Sequence, residues 1–439
     1  MNQRDYNYYE ANAADVNLEE ITSSAKNAKI LQRLRDCDDQ LTYLNLGMQE
    51  WHTFIISEGD DLRWLGYFIG KSQYLKSLNI WGVPEGDQID AFVKGIARNK
   101  SIRDITVEFM SDYARAAIVR AVGNCFQLER LSIDCHGNLH PNSHSALQTL
   151  LESGVCSLRE LSLYHSSDDV VTSFANGFKR IAESLEVFVL SDDSIGNEGL
   201  LAVVAGLASN TSLKELEFFM DDFSLAAEGL SSLSEWLQSL PMTLQLLNVQ
   251  CCRINDEGLQ AFAKGAAFHC RELDLEGNES ITATGLSCLS NSLQSESCCI
   301  ETLNLFGIPS AIGDDGMKAL ARGLAHNTSL KSLRLGVSQF PNNDDTVPPT
   351  QWLSFSNALC DPSSVNNTYF SNHTIHAIMD EYDTDNFRPE DIDLYLRLNE
   401  QHPTYAARCK ILMMHPHLDM RPFLQWDLTL LPLVLTWFE

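Results

Sequence analysis

The sequence is poor in basic residues. Its 31 lysines and arginines stand against 59 aspartates and glutamates, which gives a formal net charge of −28. This deficit argues against binding to nucleic acid or to an anionic membrane, because both need clusters of positive charge. It favours a protein partner whose surface is basic or mixed, although solvation of a large surface explains the same excess of acid. We therefore expect a protein partner of unknown identity, with no nucleic acid and no membrane.

Long apolar runs are also missing. The longest, residues 428–438 (LTLLPLVLTWF), is shorter than the roughly 20 residues of a membrane-spanning helix and contains Pro432. The first twenty residues lack the basic segment and apolar stretch of a secretory signal. The apolar ending suggests that the natural protein extends further. The expected location is the cytoplasm, with the nucleus as the alternative.

The cysteine pattern does not suggest disulfides. None of the twelve cysteines forms a Cys-x-x-Cys pair, and two pairs are adjacent, Cys251–Cys252 and Cys298–Cys299. Adjacent cysteines are poorly suited to a disulfide framework. We expect free thiols in a reducing compartment.

Motifs of catalysis and metal binding are missing as well. There is no phosphate-binding loop, no Gly-x-Ser-x-Gly elbow and no His-Glu-x-x-His helix. Residues 135–144 (CHGNLHPNSH) contain one cysteine and three histidines, but their spacing matches no closed zinc site. The acidic stretch 380–391 lacks the glycine of a calcium-binding EF-hand loop. We predict that the protein is not an enzyme and has no cofactor and no metal.

What the sequence does have is a repeat. Residues 204–218 (VAGLASNTSLKELEF) and 320–335 (LARGLAHNTSLKSLRL) share a helix-like end, an Asn-Thr-Ser-Leu turn and an alternating apolar run. From Leu75 to Leu330 the apolar triplet recurs with a mean period of about 28 residues, and a fixed period of this size predicts a solenoid. The triplets begin at Leu41, Leu75, Ile102, Leu128, Leu158, Leu185, Leu213, Leu244, Cys270, Ile300 and Leu330.

Between the triplets the apolar period changes from two to three or four, which predicts a helix in each unit. In EGLLAVVAGLASN, for example, Leu200, Val203, Val204 and Leu207 fall on one helical face. Each repeat is therefore predicted to be a strand, a turn and a helix. None can bury its apolar side alone, so neighbours must stack.

The turns indicate a family. Residues 194–200 (SIGNEGL), 253–259 (RINDEGL), 280–286 (SITATGL) and 311–317 (AIGDDGM) share an isoleucine and a Gly-Leu/Met helix start. With the Asn-Thr-Ser-Leu turn, they resemble the ribonuclease-inhibitor-like class of leucine-rich repeats. That class includes ribonuclease inhibitor, the Ran GTPase-activating proteins and NOD-like receptor repeats. The resemblance covers about 41–340, but the usual turn asparagine is clear only at Asn278 and the early units are irregular.

This resemblance implies a curved α/β solenoid with parallel strands on a concave face and helices on a convex face. We predict three segments. Residues 1–40 form an N-terminal tail and a helical cap. The cap helix is predicted over 17–36, with Asn17 at its start. Residues 41–340 form about 11 leucine-rich repeats. Residues 341–439 are a linker and a helical region that either seals the last repeat or docks to a partner.

The strand pattern also predicts a binding face. In the triplet, apolar positions point into the core and the alternating positions point out of the concave sheet. Exposed aromatic rings on such a face are typical anchors of interfaces, although these rings could instead pack on neighbouring rows. The predicted partner-binding residues combine aromatic and acidic side chains: Trp81, Glu108, Asp134, Tyr164, Glu217, Phe219, Asp274, Glu276 and Phe306.

Two functions follow from these observations. The first is a protein–protein interaction scaffold that binds a basic or mixed protein surface on its acidic, aromatic-bearing concave face. The alternative, implied by the family resemblance alone, is a GTPase regulator of the Ran GTPase-activating type. That alternative is less favoured because such proteins typically carry a strongly acidic C-terminal tail, whereas this sequence ends in an apolar segment.

Overall fold

The protein repeats one motif, a short strand followed by a helix, in each of two compact units, Met1–Phe223 and Ser224–Glu439. The structure is a computed structural model. It describes residues 6–83, 88–123, 125, 127–135, 141–153, 158–191, 195–219, 225–308, 313–335, 349–379 and 389–417.

The first unit forms a parallel sheet flanked by helices. Its strands follow the order β8-β7-β6-β5-β4-β3-β1-β2. They are β1 (Tyr43–Gly47), β2 (Phe54–Ile55), β3 (Ser77–Trp81), β4 (Asp104–Glu108), β5 (Arg130–Asp134), β6 (Glu160–Tyr164), β7 (Val187–Ser191) and β8 (Glu215–Phe219). The helices are α1 (Tyr6–Asn12), α2 (Ala25–Arg35), α3 (Leu62–Lys71), α4 (Gln88–Arg98), α5 (Asp112–Val122), α6 (Pro141–Ser153), α7 (Asp168–Ser173), α8 (Ala175–Ile181) and α9 (Asn197–Gly206).

The second unit has the same construction, with strands in the order β13-β12-β11-β10-β9. The strands are β9 (Leu244–Asn248), β10 (Cys270–Asp274), β11 (Thr302–Leu305), β12 (Ser332–Leu335) and β13 (Ala377–Met379). The helices are α10 (Ala227–Ser239), α11 (Asp256–His269), α12 (Ala283–Leu293), α13 (Gly313–Ala325), α14 (Pro349–Leu359), α15 (Val365–Tyr369), α16 (Glu390–Asn399) and α17 (Pro403–Met414).

The predicted repeat is confirmed. Each of the eleven apolar triplets contains a strand that starts within two residues of the first apolar position, and the paired strands within each unit are parallel. The apolar positions are buried as expected. In β3 and β4, for instance, Leu78, Ile80 and Val107 are fully buried while the residues between them are half-exposed.

Buried asparagines connect consecutive repeats. The side-chain amide of Asn210 donates to the carbonyls of Ala182 and Leu185, which belong to the preceding repeat. Its oxygen accepts the backbone N–H groups of Ser212 and Leu213, which lead into β8. One side chain thus satisfies carbonyls at the end of one repeat and amides at the start of the next strand. The same arrangement recurs at Asn99, Asn327 and Asn372.

These contacts explain the recurring Asn-x-Ser/Thr-Leu/Ile motif. We predict that Asn210→Ala lowers the free energy of unfolding by about 3 kcal/mol, since it leaves several buried backbone groups without partners. Guanidinium chloride titration measures this loss. The matched control is Asn176→Ala, at an exposed position of α8, which should change the free energy by less than about 0.5 kcal/mol. Equal effects at the two positions would contradict this explanation.

The N-terminal segment differs from the expected tail. Residues Tyr6–Asn12 form α1, and the buried ring of Tyr9 packs edge-on against Trp64 at a centroid distance of 4.9 Å. The predicted cap helix exists, but it begins at Ala25. Ser24, not Asn17, caps it by accepting the N–H of Asn27.

One further repeat strand, β13, follows residue 340 and lies between helices of the predicted helical C-terminal region. Strand β13 pairs in parallel with β12, with Ile378 beside Leu333. The sequence leading into it, Asn372-His-Thr-Ile375, makes the same asparagine contacts as the earlier repeats. The sequence analysis missed it because Asp380 stands where the triplet requires its third apolar residue. Helices α14 to α17 account for much of the remaining described C-terminal region.

A buried lysine holds this C-terminal part together. The Lys410 ammonium donates to the carbonyls of Leu359 and Asn372, at 2.7 and 2.9 Å, and lies 3.3 Å from Nδ1 of His373. Leu359 ends α14, so the charge lies at the negative end of a helix. Burial nevertheless lowers the pKa of Lys410 to about 7, with a small opposing effect of Cys360.

This shift predicts a pH dependence. Between pH 7 and its ordinary pKa of 10.5, Lys410 carries fewer protons in the folded chain than in the unfolded chain, so its contribution to stability rises with pH. Lys410→Met removes the titration. We expect the stability difference, wild type minus variant, to grow between pH 7 and 10 in urea titrations. A difference that is constant or falls with pH would show that Lys410 keeps an ordinary pKa.

Candidate functional site

The open strand face of the first unit consists of the outward side chains of its parallel strands. The strand register arranges them in three rows. The first row is Tyr43, Ser77, Asp104, Arg130, Glu160, Val187 and Glu215. The middle row is Asn45, Asn79, Thr106, Ser132, Ser162, Val189 and Glu217. The last row is Gly47, Trp81, Glu108, Asp134, Tyr164, Ser191 and Phe219.

This face is acidic, and its one arginine is already paired. Arg130 donates to both carboxylate oxygens of Asp104, at 2.9 and 2.7 Å, and lies 3.9 Å from Glu160. Burial raises the pKa of Glu160, as do Asp104 and Glu215, while Arg130 opposes the shift. The three rows hold six carboxylates against this single guanidinium. The open strand face therefore carries a net negative charge.

A second acidic group lies in the last row. Burial raises the pKa of Glu108, the charge of Asp134 adds to the shift, and His165 opposes it. The Asp134 side chain is only 3% exposed and bonds Nδ1 of His165 at 3.0 Å. Its other oxygen accepts the N–H of Phe109 at 3.4 Å. Asp134 was predicted to contact a partner directly; in the structure it is buried, and these bonds use both of its carboxylate oxygens.

Aromatic side chains gather at one end of the face. We call Met48, Trp51, His52, Trp81 and Phe109 the end cluster. Trp51 stacks on His52 at a centroid distance of 3.8 Å and meets Trp81 edge-on at 4.9 Å, and Trp81 lies 5.1 Å from Phe109. Met48, Trp51 and Phe109 are 53%, 57% and 57% exposed. Large apolar groups left this exposed side by side are typical of interaction surfaces.

Phe109 occupies an unfavourable backbone conformation. Its φ is 47°, in the left-handed region that glycine adopts easily and a residue with a Cβ does not. After the preceding strand, the corresponding position is Gly82, with a φ of 72°. A phenylalanine here costs stability while leaving its ring exposed. The residue directly after β6, His165, also has a positive φ, of 54°, so this conformation belongs to the turn that follows these strands.

The strain can be measured. Phe109→Ala and Phe109→Gly both remove the ring, but only alanine keeps a Cβ at positive φ. We expect the glycine variant to be more stable than the alanine variant by about 1 kcal/mol, as measured by urea unfolding. A control pair at Tyr113, an exposed position in α5, should show the opposite order, because glycine destabilises helices. Equal stability of the two Phe109 variants would mean that the backbone there is unstrained.

The middle row is less accessible than the alternating pattern predicts. Asn45, Ser162 and Val189 are buried although their side chains belong to the open strand face. At the far end of this face, Glu217 and Phe219 are half-buried, as is Tyr164 in the last row. The strand register places Trp81 next to Glu108, and Asp134 next to Tyr164. Glu217 and Phe219 lie farther away, on β8, which is three strands beyond β5.

In the second unit, the outward polar residues shape turns. The side-chain oxygens of Asn248, Asp274 and Asn304 each accept the backbone N–H two residues later. The amide of Asn304 also bridges Asp274 and Glu276, at 3.0 and 2.9 Å. Burial raises the pKa of Asp274, and the charge of Glu276 adds to the shift, although hydrogen bonds from Glu276 N–H and Asn304 oppose it. Asp274 was predicted to contact a partner, but its carboxylate is committed to the turn.

The other two predicted residues of the second unit remain accessible in part. Glu276 and Phe306 are half-buried; Phe306 directly follows β11, and Glu276 lies two residues after the end of β10. The sequence analysis missed Met48, Trp51, His52 and Phe109. The sequence does contain a sign of the first three residues, because the triplets at Leu41 and Leu75 lie 34 residues apart. That spacing exceeds the mean period and leaves room for an inserted loop over the end of β1.

The described residues hold no group of three or more His, Cys, Asp or Glu side chains suited to a metal. His136 and His140 of the sequence motif, and most of the acidic stretch 380–391, lie outside the described residues. Eleven cysteines are described, and none of them is joined in a disulfide. Within the described chain, no helix is long and apolar enough to cross a membrane.

Comparison with known proteins agrees with the repeat architecture. Residues 241–263 and 268–290, which contain β9 and β10, match the family model described as Leucine Rich repeat. This match covers two repeats of the second unit and agrees with the strand–helix repetition in both units, as expected for a leucine-rich-repeat fold. The ribonuclease-inhibitor-like class stays a prediction. No curated protein matches the chain in sequence.

Matching solved structures include the Rad7 and Elc1 complex of yeast, at 12% identity and a TM-score of 0.41, over 79% of this chain and 90% of that chain. Another is the leucine-rich repeat-containing protein LegL7 from Legionella pneumophila, at 15% identity and a TM-score of 0.40, over 73% of this chain and 96% of that chain. Similarity at this level carries no information about function.

Proposed function

We propose that this protein is a protein–protein interaction scaffold, not an enzyme, and that it binds a partner with a basic or mixed surface on its open strand face. The observation that carries this proposal is the charge of that face in the first unit, where six carboxylates accompany one arginine that is already paired. Such a field attracts a positively charged surface and repels an acidic one.

The end cluster adds the second requirement of an interface. Charge speeds the encounter of two proteins, whereas apolar contact at the centre of an interface slows their separation. The exposed rings of Trp51 and Phe109 provide that contact beside the acidic rows. The open strand face thus combines the aromatic anchors and the charge that a protein partner needs.

Two further parts of this proposal, the location and the cofactor, rest on the sequence alone. We propose residence in the cytoplasm, with the nucleus as an alternative, and no cofactor. The GTPase regulator of the Ran GTPase-activating type has no specific support among the described residues, so we do not develop it further.

Site-specific photo-crosslinking tests which face binds. A photoreactive amino acid is placed at Thr106 or Ser191 on the open strand face, and at Lys94 or Thr149, exposed positions of α4 and α6, as controls. We expect both open-face positions to capture the same protein in cells, and the helix positions to capture little of it. Capture from the helix positions alone would move the binding site to the helices.

The charge of the face is tested once a partner has been captured. Neutralising Glu108, Glu215 and Glu217 to Gln should slow association about tenfold at low salt and flatten its salt dependence. The matched control neutralises three exposed glutamates of the helical side, Glu152, Glu183 and Glu198, which changes the net charge equally. Both association rates are measured by stopped-flow. If the control slows association as much, net charge and not the open strand face drives the encounter.

A further inference from the structure

The end cluster contains polar atoms that the fold leaves without partners. Nε1 of Trp81, Nε2 of His52 and Oδ1 of Asn79 are buried and have no hydrogen-bond partner among the described residues. His52 covers Gly47, where a Cβ would collide with the imidazole ring. Buried polar groups are nearly always satisfied, so a group of unsatisfied ones calls for an explanation. Stability alone does not account for this part of the face.

A carboxylate lies directly beside the rings. Trp81 and Glu108 are register partners on adjacent strands, which places their backbones about 4.8 Å apart. Among the described residues, no lysine or arginine forms an ion pair with Glu108, and the nearby charge of Asp134 repels it. Glu108 is half-buried. A partly desolvated carboxylate next to aromatic faces therefore has no lysine or arginine of its own, and only the charge of His165 opposes the rise of its pKa.

This combination discriminates between ligand groups. An apolar side chain would cover Glu108 and leave its charge buried without a partner, which is costly. An acidic group would meet Glu108 and Asp134 with like charge. A cation is attracted both to the carboxylate and to the faces of the rings. Of the two basic side chains, arginine fits better because its planar guanidinium stacks on rings and pairs with a carboxylate through two donors.

We propose that the end cluster binds an arginine side chain of the protein partner, with the guanidinium stacked on the exposed aromatic rings and paired with Glu108. This inference rests on the proposed function, because it names the group that the open strand face recognises.

The test uses the full chain and three synthetic peptides, so it does not require the natural partner. The first is acetyl-Gly-Gly-Arg-Gly-Arg-Gly-Gly-amide. In the others, both arginines are replaced by lysine or by citrulline, which is neutral and nearly isosteric with arginine. The tryptophans are labelled as 5-fluorotryptophan, and the fluorine resonances of Trp51 and Trp81 are assigned with Trp51→Phe and Trp81→Phe.

We expect saturable shifts of the Trp51 and Trp81 resonances with the arginine peptide. The lysine peptide should bind at least about threefold more weakly, since an ammonium cannot stack as a plane. The citrulline peptide should produce no saturable shift. Equal binding of the lysine peptide, or binding of the citrulline peptide, would overturn the assignment to a guanidinium, as would an arginine peptide that shifts neither resonance.

Variants separate a specific site from general attraction. Glu108→Gln should weaken the arginine peptide about tenfold, whereas Glu183→Gln, which removes an equal charge from the helical side, should change binding by less than about twofold. Phe109→Ala and Phe109→Gly should weaken binding equally although their stabilities differ, which excludes misfolding as the cause. Equal weakening by Glu108→Gln and Glu183→Gln would contradict a specific site.

Two outcomes distinguish this inference from the proposed function. If cross-linking at Thr106 still captures the partner after Phe109→Gly with unchanged yield, the arginine site is wrong while the scaffold function stands. If the arginine peptide binds the end cluster but the open strand face captures no protein, the scaffold function is wrong and the site remains.

Discussion

The structure depends on the connection between one repeat and the next. A single strand and helix cannot bury its apolar side, so each repeat is stable only against its neighbours. Leucines in the strands supply the apolar part of this contact. Buried asparagines such as Asn210 and Asn327 supply the polar part, because each satisfies backbone groups of two repeats with one side chain. Where the asparagine motif recurs, as at Asn372, another strand follows.

The same register determines what the open strand face can do. Once the leucines are aligned in the core, the residues between them must also align across the sheet. Acidic residues from several strands of the first unit therefore become neighbours, and burial together with these neighbouring charges raises the pKa of Glu108 and of Glu160. This repulsion costs the protein some stability. A basic partner would reduce this repulsion, which links the loss of stability in the free protein to the proposed function.

Side chains with similar sequence positions have acquired different roles. Glu108 is half-buried and forms no ion pair with any described residue, whereas Asp134, in the same row one strand on, is buried and bonded to His165 and Phe109. In the second unit, Asp274 holds a turn through Glu276 and Asn304. Alternation tells which side of a strand a residue occupies, but not whether a neighbour covers it or takes up its hydrogen bonds.

The sequence by itself determined the repeat, because the spacing of leucines and of Asn-x-Ser/Thr motifs is a local property that any such chain must express as strand, turn and helix. It therefore predicted eleven strand positions and the acidic character of one face. Only the tertiary structure decided which residues are available on that face. The end cluster joins the Trp51 loop to Trp81 and to Phe109, which follows another strand, and β13 was missed because its triplet ends in the polar Asp380. Burial and side-chain contacts arise between segments that are distant in the chain. The local sequence pattern therefore cannot predict them.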